Sequence, residues 1–195
     1  MFVLDLVGCV RMGLSCGPVI GFALVLAGVF VVIAVGLTAW RSRRREANSV
    51  RRSVLDASIV AWTLFLLLAT LSPSGPASTD SLNLIPFNYF VRSLNLGGPD
   101  LRNAVFDVAG NVAVFVPLGL LVGLRFARPA VLEWAVEIAC VMIAIEVAQA
   151  YALARSGDVT DVITNTAGAV LGLLVGRAFR RNAARSEVLG FHLKW

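Results

Sequence analysis

Along the chain, apolar residues come in long uninterrupted blocks separated by short polar joints, with neither the alternation of a half-buried strand nor the mixed periodicity of a soluble amphipathic helix. Pro18 to Trp40 carries no charge at all, and Val54 to Leu71 is nearly as uniform until Ser72-Pro73-Ser74-Gly75-Pro76 breaks it. Further blocks run from about Ala104 to Leu124, from Val131 to about Ala152, and from Val159 to just before Arg177. A hydrocarbon layer of about 30 Å requires roughly 20 apolar residues per helix. The pattern therefore predicts an all-α integral membrane bundle of about five transmembrane helices.

The joints between blocks orient them. Arg41 to Arg52 reads RSRRREANSVRR, with six arginines against one glutamate; Arg125 and Arg128 mark a second basic turn, and Arg177, Arg180, Arg181 and Arg185 a third. Cations flanking spans collect on the cytoplasmic side. Five helices with the N-terminus outside and the C-terminus in the cytoplasm put all three basic regions on one side of the cell membrane. Residues 1–50 then form an N-terminal extension with its own span and basic loop, residues 51–176 the main membrane domain, and residues 177–195 a basic cytoplasmic tail.

Composition agrees: 58% of the 195 residues are hydrophobic and 15% charged, more apolar material than a soluble domain of this size has interior to hold. The net charge of +5 resides in loops beside apolar blocks, so it reads as a topology signal and not as a nucleic-acid footprint. Cys9, Cys16 and Cys140 have no metal-ligand spacing and the single histidine, His192, is in the tail, which argues against a Cys/His metal site. A pairing of Cys9 with Cys16 would require an oxidising compartment. No cofactor motif is present.

Against this apolar background the polar residues stand out. Asp107 and Asn111 are four apart in the third helix, Glu146 and Gln149 three apart in the fourth, and Asp158, Asp161 and Asn165 at i, i+3 and i+7 at the start of the fifth, so each set shares a helix face. Ionisable groups in a membrane are costly and turn toward one another or toward a ligand. From the helix directions, all of these residues and Arg155 fall near the outer leaflet. They have a plain alternative as caps and interhelical bridges: Asp158 or Thr160 capping the last helix, Asp161 at its positive dipole end, and Asn111 and Asn165 bonding between helices. Glu133 and Glu137, in the first turns of the fourth helix, are expected to be structural. Between the second and third helices, Asn83, Pro86 and Phe87 belong to an apolar, proline-stiffened segment. It is either an interfacial anchor or a re-entrant cover over the polar groups.

The ordered segments Asn83 to Phe87 (NLIPF), Asn111 to Gly119 (NVAVFVPLG), Glu146 to Gln149 (EVAQ) and Arg155 to Gly168 (RSGDVTDVITNTAG) resemble the motifs of the VanZ-like family over roughly residues 51–176, and the last is the most specific. The resemblance implies a bacterial multi-pass membrane protein, in a family whose founding member is associated with low-level resistance to the glycopeptide teicoplanin. It carries with it the matching positions Asn83, Pro86, Phe87, Asn111, Phe115, Pro117, Gly119, Glu146, Gln149, Arg155, Asp158, Asp161, Asn165 and Gly168. The span from Pro18 to Trp40 is additional to the family's usual first helix.

Three functions follow as expectations. The first is an outward pocket of Asp107, Asn111, Glu146, Gln149, Arg155, Asp158, Asp161 and Asn165, covered by Asn83, Pro86 and Phe87, that binds a membrane lipid, an envelope precursor or a glycopeptide head. The second is a metal-assisted enzyme acting on a lipid-linked phosphate, with hard oxygen ligands from Asp158, Asp161, Asn165 and Glu146; no nucleophile-base pair or phosphate-cradling glycine loop accompanies them. The third is a small transporter or scaffold in which Glu146 relays protons, although no internal repeat is present.

Overall fold

A computed structural model describes residues 33–44, 49–71, 82–126, 130–152 and 157–188. The described residues form six helices and one two-residue bridge, falling into two compact units, 1–72 and 73–195. The all-α membrane bundle expected from the apolar blocks is the architecture found. Most of the first expected span, residues 18–32, lies outside the described residues, as do Cys9, Cys16, Arg128, Pro129, Arg155 and the end of the basic tail.

In the first unit, α1 spans 33–43 and α2 spans Ser49–Leu71. Arg41 near the end of α1 reaches α2, where its guanidinium donates to the Asp56 carboxylate at 2.5 Å and to the Ser53 hydroxyl at 3.3 Å. Ser53 is fully buried. One arginine of the basic joint thus clips the two helices together, in addition to marking topology, while Arg44 lies over the Trp40 ring at 4.3 Å.

The second unit carries β1 (Leu82–Asn83), α3 (Asn88–Leu96), α4 (Gly98–Arg125), α5 (Val131–Ala152), β2 (Gly157–Asp158) and α6 (Val159–Val188). Glycine dictates how α4 and α6 meet. A Cβ on Gly119 would come within 2.8 Å of the Ala169 carbonyl carbon, one on Gly168 within 2.9 Å of the Val112 carbonyl carbon, and one on Gly172 within 2.8 Å of the Leu120 nitrogen. Gly123 and Gly176 are as tight. The pairs Val112 with Gly168, Val116 with Gly172 and Leu120 with Gly176 ascend together, so α4 and α6 run parallel, as the third and fifth helices of the expected topology must. Small residues allow this backbone approach, which replaces the hydrophobic drive that lipid cannot supply. Gly119 and Gly123 on α4 and Gly168, Gly172 and Gly176 on α6 make up the seam.

Among the described residues, three helices are long and apolar enough to cross a membrane: Val50–Thr70, Gly98–Arg125 and Val159–Ala184. The fourth expected span, α5, is 22 residues long but carries Glu133, Glu137 and Glu146 and is not among them. Its inner face is Met142, Ile145, Glu146 and Gln149, all buried, at i, i+3, i+4 and i+7; Val141, Ile143 and Val147 are exposed on the other side. Glu133 and Glu137 are exposed as well. The third span begins earlier than expected: Gly97 at φ 65° precedes it, Pro99 sits in its first turn, and the helix starts at Gly98 instead of near Ala104. It continues unbroken through Pro117.

Candidate functional site

Polar side chains gather where α6 begins. Asp158 caps that helix, its Oδ1 accepting the Thr160 N–H at 2.7 Å, the bond an N-cap carboxylate makes to the second residue of a helix. Its Oδ2 accepts from the Asn83 amide at 2.8 Å. The Asp158 N–H donates to Glu146 Oε2 of α5 at 2.7 Å, so the carboxylate of Glu146 closes a backbone donor of the α5–α6 connection. One turn into α6, Asp161 Oδ1 accepts from the Asn111 amide of α4 at 2.6 Å. Three helices and a loop are therefore joined end to end through Asn83, Asp158, Glu146, Asp161 and Asn111.

The loop is fastened by its backbone. Leu82 and Asn83 pair in parallel with Gly157 and Asp158, a bridge that nothing in the apolar pattern announced. Gly157 has to be a glycine there, since a Cβ would approach the Glu146 carbonyl oxygen to 2.7 Å and Leu82 Cδ2 to 2.9 Å. The Asn83 Oδ1 turns back to accept from the Ile85 N–H at 3.3 Å, and the Phe87 N–H donates to Thr160 Oγ1 at 2.9 Å. Phe87 is left-handed, at φ 57°. That conformation costs a bulky residue roughly 1–2 kcal/mol, offset here by the bond to Thr160 and the start of α3 directly after it.

Of the residues singled out from sequence, Glu146, Gln149 and Asn165 are buried, and Asn111, Asp158, Asp161, Asn83 and Phe87 partly so. Asn165 lies one turn beyond Asp161 and donates to Met142 Sδ of α5 at 3.4 Å; its Oδ1 is buried with no partner. Asp107 is exposed on α4, one turn before Asn111. Pro86 is exposed too. Arg155 lies outside the described residues. Thr160 and Thr164 matter more than sequence reasoning allowed: Thr160 holds the loop, and the buried Thr164 hydroxyl donates back to the Thr160 carbonyl at 2.9 Å. The signal for Thr160 was its place two residues after an N-cap aspartate.

Among the described residues no three acidic, cysteine or histidine side chains converge as metal ligands. Both oxygens of Asp158 and one of Asp161 are taken by protein N–H groups. An apolar crevice lies deeper, lined by Leu118, Gly119, Val122, Trp134, Ile138, Ala169, Val170 and Leu173 between α4, α5 and α6. It is separate from the polar groups.

The VanZ/LLP1 family profile matches the chain over residues 20–180, a range that holds the loop, α4, α5, the cap and most of α6. The chain belongs to the VanZ/LLP1 family. The range begins at residue 20, so it takes in nearly all of the Pro18 to Trp40 run that the motif resemblance, from about residue 51, had left outside. Among curated proteins the chain is similar to Protein VanZ of Enterococcus faecium, 36% identical over 87 residues, which are 45% of this chain and 54% of that protein. The alignment thus spans about half the length of that relative. No solved structure matches the chain. Family and candidate spans together make this VanZ/LLP1 member a membrane protein.

Proposed function

We propose that this VanZ/LLP1 protein binds, at the end of the bundle where α6 begins, the polar head of a cell-envelope lipid, a lipid-linked precursor or a glycopeptide, and thereby alters susceptibility to glycopeptides. The observation that carries this reading is the linkage of Asn83, Asn111, Glu146, Asp158 and Asp161 across three helices and a loop at one height. Capping α6 accounts for Asp158 and Thr160 alone. It does not require a buried Glu146, a Gln149 beside it, an Asn165 with an open acceptor, and an Asp107 left exposed on the same rim.

This end faces outward in the proposed topology, with the N-terminus outside and the C-terminus in the cytoplasm. Support comes from the opposite end of the bundle, where Arg125 closes α4 and Arg177, Arg180 and Arg181 follow the apolar part of α6. The metal-assisted reaction is the weaker reading, because the carboxylate oxygens that would hold a cation already accept bonds from Asn83, Thr160 and Asn111.

Native mass spectrometry of protein released from its own membranes tests the proposal. Wild-type protein should carry a head-group-specific lipid or precursor that Glu146→Gln and Asp161→Asn lose, and cells with either variant should shift in glycopeptide susceptibility. Unchanged lipid occupancy together with unchanged susceptibility would refute it.

A further inference from the structure

Beyond the polar groups themselves, the segment in front of them has an outer surface of its own. The backbone of Leu82 and Asn83 is paired with β2, the Asn83 side chain donates to Asp158, and the Phe87 N–H donates to Thr160. The side chains between are left outward: Leu84 is 72% and Ile85 63% exposed. The surface continues onto α3, where Val91 and Leu94 are exposed along one flank and Tyr89 and Leu96 along the other. Asn88, Arg92 and Asn95, at i, i+4 and i+7, form a single polar stripe between those flanks, opposite the buried Ser93. A narrow polar stripe on an otherwise apolar short helix is the distribution of an element lying at a membrane boundary.

Height fixes which boundary. The loop is bonded to the first residues of α6, which opens a candidate span, and α3 ends two residues before α4, which opens another. Both elements therefore stand where the apolar spans begin. The headgroup layer there is several ångströms thick on each side of the hydrocarbon, and a helix lying flat in it sinks its apolar face about 5–10 Å into the boundary with the acyl chains. A water-exposed surface carrying Leu84, Ile85, Val91 and Leu94 together would expose apolar area with nothing to offset it.

We propose that the 84–86 loop and the flanks of α3 are seated in the lipid leaflet beside the polar groups, with Leu84, Ile85 and Leu94 among the upper acyl carbons. The Asn88–Arg92–Asn95 stripe lies at the headgroups, where Arg92 meets lipid phosphate. The partner is the bilayer itself. The inference stands independently of what the polar groups bind.

Environment-sensitive fluorophores on single cysteines test it, in a background with Cys9, Cys16 and Cys140 changed to serine and the full chain reconstituted in phosphatidylcholine–phosphatidylglycerol vesicles. Labels at Leu84→Cys, Ile85→Cys and Leu94→Cys should be blue-shifted, quenched by nitroxide-bearing lipid, and severalfold less accessible to aqueous acrylamide than labels at Arg92→Cys and Asn95→Cys. All five positions are exposed, so none of these changes opens the interior. Equal acrylamide access at Leu84 and Arg92 would overturn the proposal. So would protection of Leu84 and Leu94 from both quenchers, which would point to a protein covering the surface.

Discussion

Gly172 and Gly110 are both helical glycines of the second unit, and alanine should act on them in opposite directions. At Gly172 the new methyl would meet Leu120 N at 2.8 Å and the Val116 carbonyl carbon at 2.9 Å, well inside an ordinary contact of about 3.5 Å or more between such atoms. The nearest atom is the Val116 carbonyl oxygen, so the obstacle is backbone, no rotamer change relieves it, and α4 must retreat from α6 by roughly 1 Å or more. A gap of that size forfeits up to about half of each contact's attraction, and overpacking typically costs about 1–3 kcal/mol. Subtracting the helix preference of alanine over glycine, up to about 1 kcal/mol, leaves a net loss of roughly 1–2 kcal/mol. Around Gly110 nothing lies within 4 Å of the added atom, so the same helix preference acts unopposed and stabilises by about 0.5–1 kcal/mol. The two variants should therefore differ by about 1.5–3 kcal/mol, roughly a ten- to 150-fold difference in the folded-to-unfolded ratio. Titrating SDS into mixed micelles and following tryptophan emission measures it, with Trp134 in the crevice beside Gly119 as a local reporter. If Gly172→Ala is as stable as Gly110→Ala, the glycine seam does not hold α4 against α6 and the reasoning fails.

Other outcomes follow from the polar end. Asp158→Ala removes the N-cap of α6 and the anchor of Asn83, and should lower stability by about 1–3 kcal/mol while exposing the 82–87 loop to protease faster than the wild type. A double-mutant cycle on Asn111→Ala and Asp161→Ala should return a coupling of about 0.5–2 kcal/mol; independent effects would mean that the 2.6 Å bond carries no stability. Gly157→Ala should disrupt the Leu82–Gly157 pairing, read as faster amide exchange at Asn83, whereas unchanged exchange would show that the close approach to the Glu146 carbonyl is relaxed in solution.

Much of this was readable in advance because membrane helices leave few disguises. Continuous apolar blocks define helices whatever their neighbours do, and polar groups inside them have so few places to go that Asn111 with Asp161, and Glu146 with Asp158, could be grouped from spacing and helix direction alone. The two-residue parallel bridge could not be read. Its partners are 75 residues apart, its strands carry no alternation, and its register depends on a glycine accepted for lack of a side chain. The early start of α4 escaped for a related reason: Gly97 and Gly98, both at positive φ, resemble a break, yet they turn the chain directly from α3 into α4. Asp107 shows the limit of face arguments. It shares a helix face with Asn111, and a difference of one turn at the rim leaves it exposed while Asn111 is bonded.

Parallel helices in backbone contact have no cushion of side chains to deform. The seam from Gly119 to Gly123 on α4 against Gly168 to Gly176 on α6 makes the pair behave as a single stiff rail, able neither to shear nor to part without its carbonyls colliding or losing their neighbours. The stave that can yield is α5, which meets α6 through longer and softer groups, Met142 against Asn165 and Glu146 against the cap. Within this unit α5 is therefore the helix that can move while the rail stays whole.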